Sequence, residues 1–182
     1  DLEHIQPKAG AQLLQSLGVH GTNADLERAS RQYQGHCLSL TLLGTYLCEA
    51  FGGDVRAIQQ IHLVTEGEGQ SDNPARHVMA AYERWFRDRP HLDVLYIIGL
   101  FDRPIDANSI YALRASPAIL GLTERVQGLD DPQWRQAIVQ LRKLRLVADL
   151  DPLQPEMLDA HPIVREYFGH RFRQSFPNSW QQ

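Results

Sequence analysis

Residues 37–51 read CLSLTLLGTYLCEAF, and Gly52 and Gly53 follow directly. Large apolar side chains fall on nearly every side of a 3.6-residue turn, so the helix predicted here has no broad polar face and is buried on most sides. The paired glycines supply the left-handed stop that such a helix needs. A helix of this kind is a hub that other helices must surround, and the flanking sequence provides them. Upstream, Leu13, Leu14 and Leu17 share one face of a short helix that stops at Gly18. Thr22 and Asn23 are capping residue types ahead of Leu26, Ala29 and Tyr33 at helical spacing. Downstream, Asp54 can cap a helix whose Val55, Ile58, Ile61 and Leu63 face inward. The stretch TEGEGQSDNP, residues 65–74, is acidic and lacks large apolar residues, so it is expected to be a mobile surface linker.

The second half carries a different order of elements. Pro74 suits the first turn of a helix whose Val78, Ala81, Tyr82, Trp85 and Phe86 form a core-facing stripe that ends before Pro90. Helices are predicted over His91–Phe101 and from Asp106 through Leu113. Another begins near Asp131-Pro132 and aligns Trp134, Ile138 and Leu141 with either Leu144 or Arg145. Residues 146–150 and 157–160 read as two short extended pieces around Asp151, Pro152 and Pro155, and a closing helix opens at Pro162. The expected fold is therefore mainly α. A small helical bundle occupies residues 1–73 with the acidic linker at its end, residues 74–90 form a connecting helix, and residues 91–182 form a winged-helix domain with a short β-hairpin. No repeat of fixed period is visible.

Bulk properties exclude several classes of function. The chain has 182 residues, with 18 Lys and Arg against 22 Asp and Glu, a formal net charge of -4. No overall basic field exists to hold a polyanion. Cys37 and Cys48 lie on one predicted helix about 16 Å apart, too far to pair with each other. With no disulfide framework, no signal peptide and no apolar run near ~18 residues, a cytoplasmic location without membrane contact is expected. The sequence begins at Asp1 and runs straight into a helix-forming stretch, which suggests a piece of a longer protein.

Catalytic signatures are absent. There is no GxxxxGK[ST] phosphate loop, GxGxxG, GxSxG, HExxH or CxxC. The expected role is a regulatory module rather than an enzyme, with no catalytic residues of its own. The eight histidines are scattered without ligand spacing, so no metal site is expected. A winged helix raises the possibility of DNA binding, and the segment Pro132–Leu146 carries Arg135, Arg142, Lys143 and Arg145. From His91 onward, however, ten basic residues stand against eleven acidic ones, so the phosphate-binding contribution is weak and duplex DNA is not the expected partner.

Two short motifs are informative as a pair. Gly35-His36-Cys37-Leu38-Ser39-Leu40 opens the buried helix, and Leu158-Asp159-Ala160-His161-Pro162-Ile163-Val164-Arg165-Glu166-Tyr167-Phe168 opens the closing one. In this order, and with these helices between them, they resemble the region that follows the ATPase core in the STAND family of signal-transducing NTPases, which includes the NB-ARC and NACHT classes. The resemblance runs from about Leu13 to Phe172. It implies a helical bundle opened by a Gly-x-Pro-Leu-Ala-Leu segment, then a winged helix bearing a Met-His-Asp motif. Cys37 stands where the family proline packs near adenine. His161 stands where the family histidine touches the β-phosphate of ADP, with Ala160 and Pro162 replacing methionine and aspartate.

The resemblance implies further that Gly35, Cys37 and His161 bind nucleotide together with an upstream nucleotide-binding domain. ADP or ATP would occupy the intact protein, with Mg held by that missing core and no nucleotide bound by this piece alone. A downstream repeat or sensor domain, and homo-oligomerisation on activation, are the other implied partners. Two alternatives remain: a winged-helix DNA-binding regulator, and a protein-interaction scaffold whose nucleotide function has decayed.

His161 is of interest apart from any family. It precedes Pro162 at the mouth of a helix, where free backbone N–H groups and the positive dipole end would lie beside the imidazole, and a phosphate there would meet both. The competing reading is a histidine that merely caps its helix or hydrogen-bonds within the core. Asp159 could orient the ring or repel an anion. Arg165 and Glu166 are expected to be solvated, with Tyr167 and Phe168 in the core.

Overall fold

A computed structural model describes residues 4–65 and 74–180. The stretch expected to be a mobile linker, 66–73, lies outside the described residues. Two units divide between Trp85 and Phe86.

In the first unit the apolar run forms helix α3, Cys37–Phe51, with Leu40, Leu42, Leu43 and Leu47 fully buried. Gly52 ends it in the left-handed conformation at φ 62°. Against this hub pack α1 (Pro7–Ser16), α5 (Pro74–Trp85) and a 3₁₀ turn at Val55–Ala57, with α2 (Asn23–Gln32) laid on α1 and α4 (Ile58–Thr65) on α5. The local start signals act as their chemistry predicts: the Thr22 hydroxyl accepts from the Asp25 N–H, and the Asp54 carboxylate accepts from that of Arg56. Tyr82 brings a polar group into the α3–α5 contact, where its hydroxyl donates to the Leu42 carbonyl at 3.2 Å and lies 3.0 Å from Thr45 Oγ1. A buried hydroxyl with two partners incurs little desolvation cost.

The second unit contains α6 (Pro90–Gly99), α7 (Ala107–Arg114), α8 (Asp131–Lys143), α9 (Pro162–Ser175) and the short α10 (Pro177–Trp180). Helix α6 is its centre: Leu92 through Ile98 are all buried, including Asp93. It crosses α9 at Gly99 and Gly169, where a methyl group on either would lie 2.3 Å from a backbone atom of the other. Between α7 and α8 the chain makes a series of turns whose Leu122, Thr123 and Val126 are buried. Asp93 anchors them: its carboxylate accepts from the Arg125 N–H at 2.7 Å and pairs with the Arg125 guanidinium. Burial holds the Asp93 carboxyl above its ordinary range, opposed by these bonds.

The β-hairpin expected at 146–150 and 157–160 does not form among the described residues. One hydrogen bond joins the two stretches, from Ala148 N–H to the Asp159 carbonyl at 2.8 Å. Leu158 pairs instead with Ile105 in an isolated antiparallel bridge, exchanging bonds of 2.8 and 3.1 Å. The reasons are local. Leu146 and Val147 are both buried, which breaks the alternation a half-buried strand requires, and their N–H groups return to the Leu141 carbonyl. Pro152 and Pro155 remove two donors, and the residues between them are spent in turns. The fold is mainly helical with no sheet among the described residues.

His91 also makes the second unit sensitive to pH. Its ring stacks on Phe86 at 4.8 Å, and both ring nitrogens are buried without a well-formed hydrogen bond. Burial lowers its pKa from 6.5, the nearby Gln140 amide opposes the shift, and Arg89 adds to it by a smaller amount. A histidine whose folded-state pKa is depressed contributes stability above its unfolded pKa and loses it as pH falls through the folded value. Denaturant midpoints of the second unit should therefore drop as pH falls below the ordinary histidine value of 6.5, and His91→Phe, which keeps the stack, should flatten that slope. An equal slope in the variant would remove His91 as its source.

Candidate functional site

His161 is the N-cap of α9, with Pro162 in the first turn. Its ring is exposed, and Nδ1 accepts from the Ile163 N–H at 3.3 Å. An accepting Nδ1 assigns the neutral tautomer with hydrogen on Nε2, so the outward edge of the ring is a donor. The main chain beneath it differs from expectation. Pro162 has no N–H, that of Ile163 goes to the ring, and those of Val164 and Arg165 go to the His161 carbonyl at 2.9 and 3.2 Å. The free N–H groups anticipated for an anion are thus already satisfied by His161 itself. What the helix mouth offers an anion is the Nε2–H donor and the dipole field.

The residue that fixes this geometry is Arg165, which the sequence suggested would be solvated. It is buried at 7 % exposure. Its Nε donates to the Ala160 carbonyl at 3.0 Å, and Nη1 donates to the carbonyls of Phe101 and Arg103 at 3.2 and 2.6 Å. Nη2 pairs with the Asp159 carboxylate. One guanidinium thereby ties the end of α6 to the strand-like residues leading into His161. Asp159 does not orient the imidazole: Oδ1 accepts from the Ala160 N–H at 2.7 Å and serves Arg165, so its charge is matched internally. Sequence spacing offered one clue, since Arg165 follows the buried Val164 and stands one turn before the buried Phe168 and Gly169.

Gly35 and Cys37 belong to the first unit. Gly35 sits at φ 65°, its carbonyl accepts from the Ile5 N–H at 2.9 Å, and a methyl group there would lie 2.1 Å from the Ile5 carbonyl oxygen. The glycine is required by this close approach whatever else the turn does. His36, between the two, caps α3 by accepting from the Ser39 N–H at 3.2 Å, and its ring meets that of His4 edge-on at 5.7 Å. Cys37 begins α3 as a half-buried free thiol, its carbonyl accepting from Thr41 Oγ1 at 2.9 Å. Among the described residues no group of three or more His, Cys, Asp or Glu is placed to hold a metal ion, and no helix is long and apolar enough to cross a membrane. Comparison of the chain with protein-family models, with curated proteins and with solved structures finds no match.

Proposed function

We propose that this chain is the regulatory module of a STAND-type signalling ATPase of the cytoplasm, folding over an upstream nucleotide-binding core and helping to retain ADP in the inactive state. The observation that carries the reading is His161, an exposed ring held by its own helix so that Nε2–H points outward as a donor. A neutral imidazole donating to a phosphate oxygen forms a charge-assisted bond of roughly 1.5–3 kcal/mol. The element order is secondary support: α6, the bridging Ile105, α7, α8 and the returning Leu158 come in the order a winged helix would use, without its hairpin among the described residues. In this reading the module contributes no catalytic group. Exchange of ADP for ATP by the core would release it and permit self-association, an interconversion between two discrete arrangements.

The test is ADP release from the intact protein. His161→Ala is expected to accelerate release by at least about tenfold, the equivalent of ~1.4 kcal/mol. The ring is exposed, so thermal stability should fall by no more than the ~1 kcal/mol of a lost cap. Unchanged ADP retention would eliminate His161 as the latch. A second reading, an interaction scaffold without nucleotide, is favoured by Cys37 and Pro162 at positions where the family carries proline and aspartate. It predicts that the intact protein purifies free of ADP and ATP.

A further inference from the structure

The second unit leaves a groove of about 430 Å³ between α7, α8 and the loop that precedes α9. Its apolar surface comes from Ile110, Tyr111, Trp134, Ile138, Val139 and Leu150. Three of these are large apolar residues turned to solvent, Tyr111 at 78 %, Val139 at 62 % and Leu150 at 50 % exposure, and Leu153 of the same loop reaches 89 %. Apolar exposure concentrated in this way marks a surface built to be covered. Arg114 stiffens the floor: its guanidinium lies 4.5 Å from the Trp134 ring centroid and donates to the Leu129 carbonyl at 2.9 Å.

The charges around the groove are unevenly placed. Along the α8 rim Arg135, Val139 and Arg142 recur at helical spacing, so two cations stand about 10.5 Å apart with an exposed valine between them. Arg135 makes no ion pair among the described residues, and Arg142 reaches only the Ala148 carbonyl at 3.2 Å. On the loop wall opposite, Glu156 is an exposed carboxylate.

We infer that this groove docks an amphipathic helix of a partner protein, with its apolar stripe on Val139, Trp134 and Leu150 and carboxylates along the edge that meets Arg135 and Arg142. Carboxylates at i and i+7 of such a helix match the arginine spacing, and a cation on its other edge faces Glu156, which sets its direction. Pairing by strand addition has no edge to use here, because Leu158 is engaged with Ile105. Duplex DNA suits the surface poorly, since Asp131 and Glu156 line the same groove and the face is largely apolar. This assignment does not depend on nucleotide binding elsewhere in the protein.

The probe is a displayed library of amphipathic helices of about 15 residues, with leucine or phenylalanine along one stripe and randomised flanks, selected against this chain. Selection should enrich Asp and Glu on one flank. Binding of the selected helices should weaken at least about tenfold in Val139→Glu and in the Arg135→Glu/Arg142→Glu double variant, and the double variant should in turn select basic flanks. Arg135 and Val139 are exposed and Arg142 gives up only its bond to the Ala148 carbonyl, so the variants should keep a melting midpoint close to that of the parent. No enrichment, enrichment without charge preference, or binding that survives Val139→Glu would overturn the inference. So would retention of duplex DNA at ~150 mM salt, or self-association of the chain that Val139→Glu abolishes.

Discussion

Gly169→Ala should lower the melting midpoint of the chain by roughly 10 °C, more than any surface substitution. The added methyl would stand 2.3 Å from the Gly99 carbonyl oxygen and 3.1 Å from its carbon. Neither neighbour is the end of a flexible side chain, so relief requires α6 and α9 to move apart along their whole contact. That separation opens the packing of Tyr96 against Phe168 and Phe172, whose ring centroids lie 6.3 and 5.5 Å away. Overpacking a core costs about 1–3 kcal/mol, and a backbone-on-backbone collision belongs at or beyond the upper end. At about 2–4 °C per kcal/mol for a chain of this size, the stated shift follows. Gly128→Ala is the control, since a methyl there meets nothing within 4 Å. Calorimetry of both variants decides the matter: equal midpoints would mean that the α6–α9 crossing adapts freely.

What could be read in advance, and what could not, separates along a physical line. Helix α3 was legible because burial on all sides leaves its mark in composition, and the starts at Thr22, Asp54, Pro74, Asp106 and Pro162 were legible because capping is a contact between near neighbours in sequence. The hairpin failed partly for local reasons, since Leu146 and Val147 return their N–H groups to the Leu141 carbonyl, and partly because the second stretch has a distant partner. Leu146 and Val147 are buried beside α8, and Leu158 finds its partner at Ile105, more than fifty positions earlier. The same holds for polar groups. Asp93 within an otherwise apolar helix is matched by Arg125, which no local pattern connects to it. His161 was identifiable as a helix-mouth residue, but its consumption of the neighbouring N–H groups depends on a rotamer that sequence does not specify. The groove on α8 had one local sign, Val139 standing outside the Trp134–Ile138–Leu141 stripe.

Arg165→Met should destabilise the second unit by about 3–5 kcal/mol, the range for removing one partner of a buried charged network. Methionine fills much of the volume, so the loss reports polar contacts more than a cavity. Three carbonyls, those of Phe101, Arg103 and Ala160, would lose their donor together. Asp159→Asn should cost much less, because the Asp159 side chain is 48 % exposed and water can replace its partner. Arg165→Lys should recover little: a single ammonium lacks the planar fork that serves the α6 end and the Ala160 carbonyl at once. The double-mutant cycle of Arg165→Met with Asp159→Asn separates the ion pair from the carbonyl contacts. A coupling small beside the loss in Arg165→Met would assign the guanidinium chiefly to the main chain, whereas a coupling equal to that loss would make the carboxylate the reason for its burial. If the carbonyl contacts dominate, Arg165 is what holds residues 159–161 against the end of α6. His161 would then depend on it for position, and if the proposed ADP latch holds, the intact protein carrying Asp159→Asn should retain the nucleotide while a folded Arg165→Lys variant releases it.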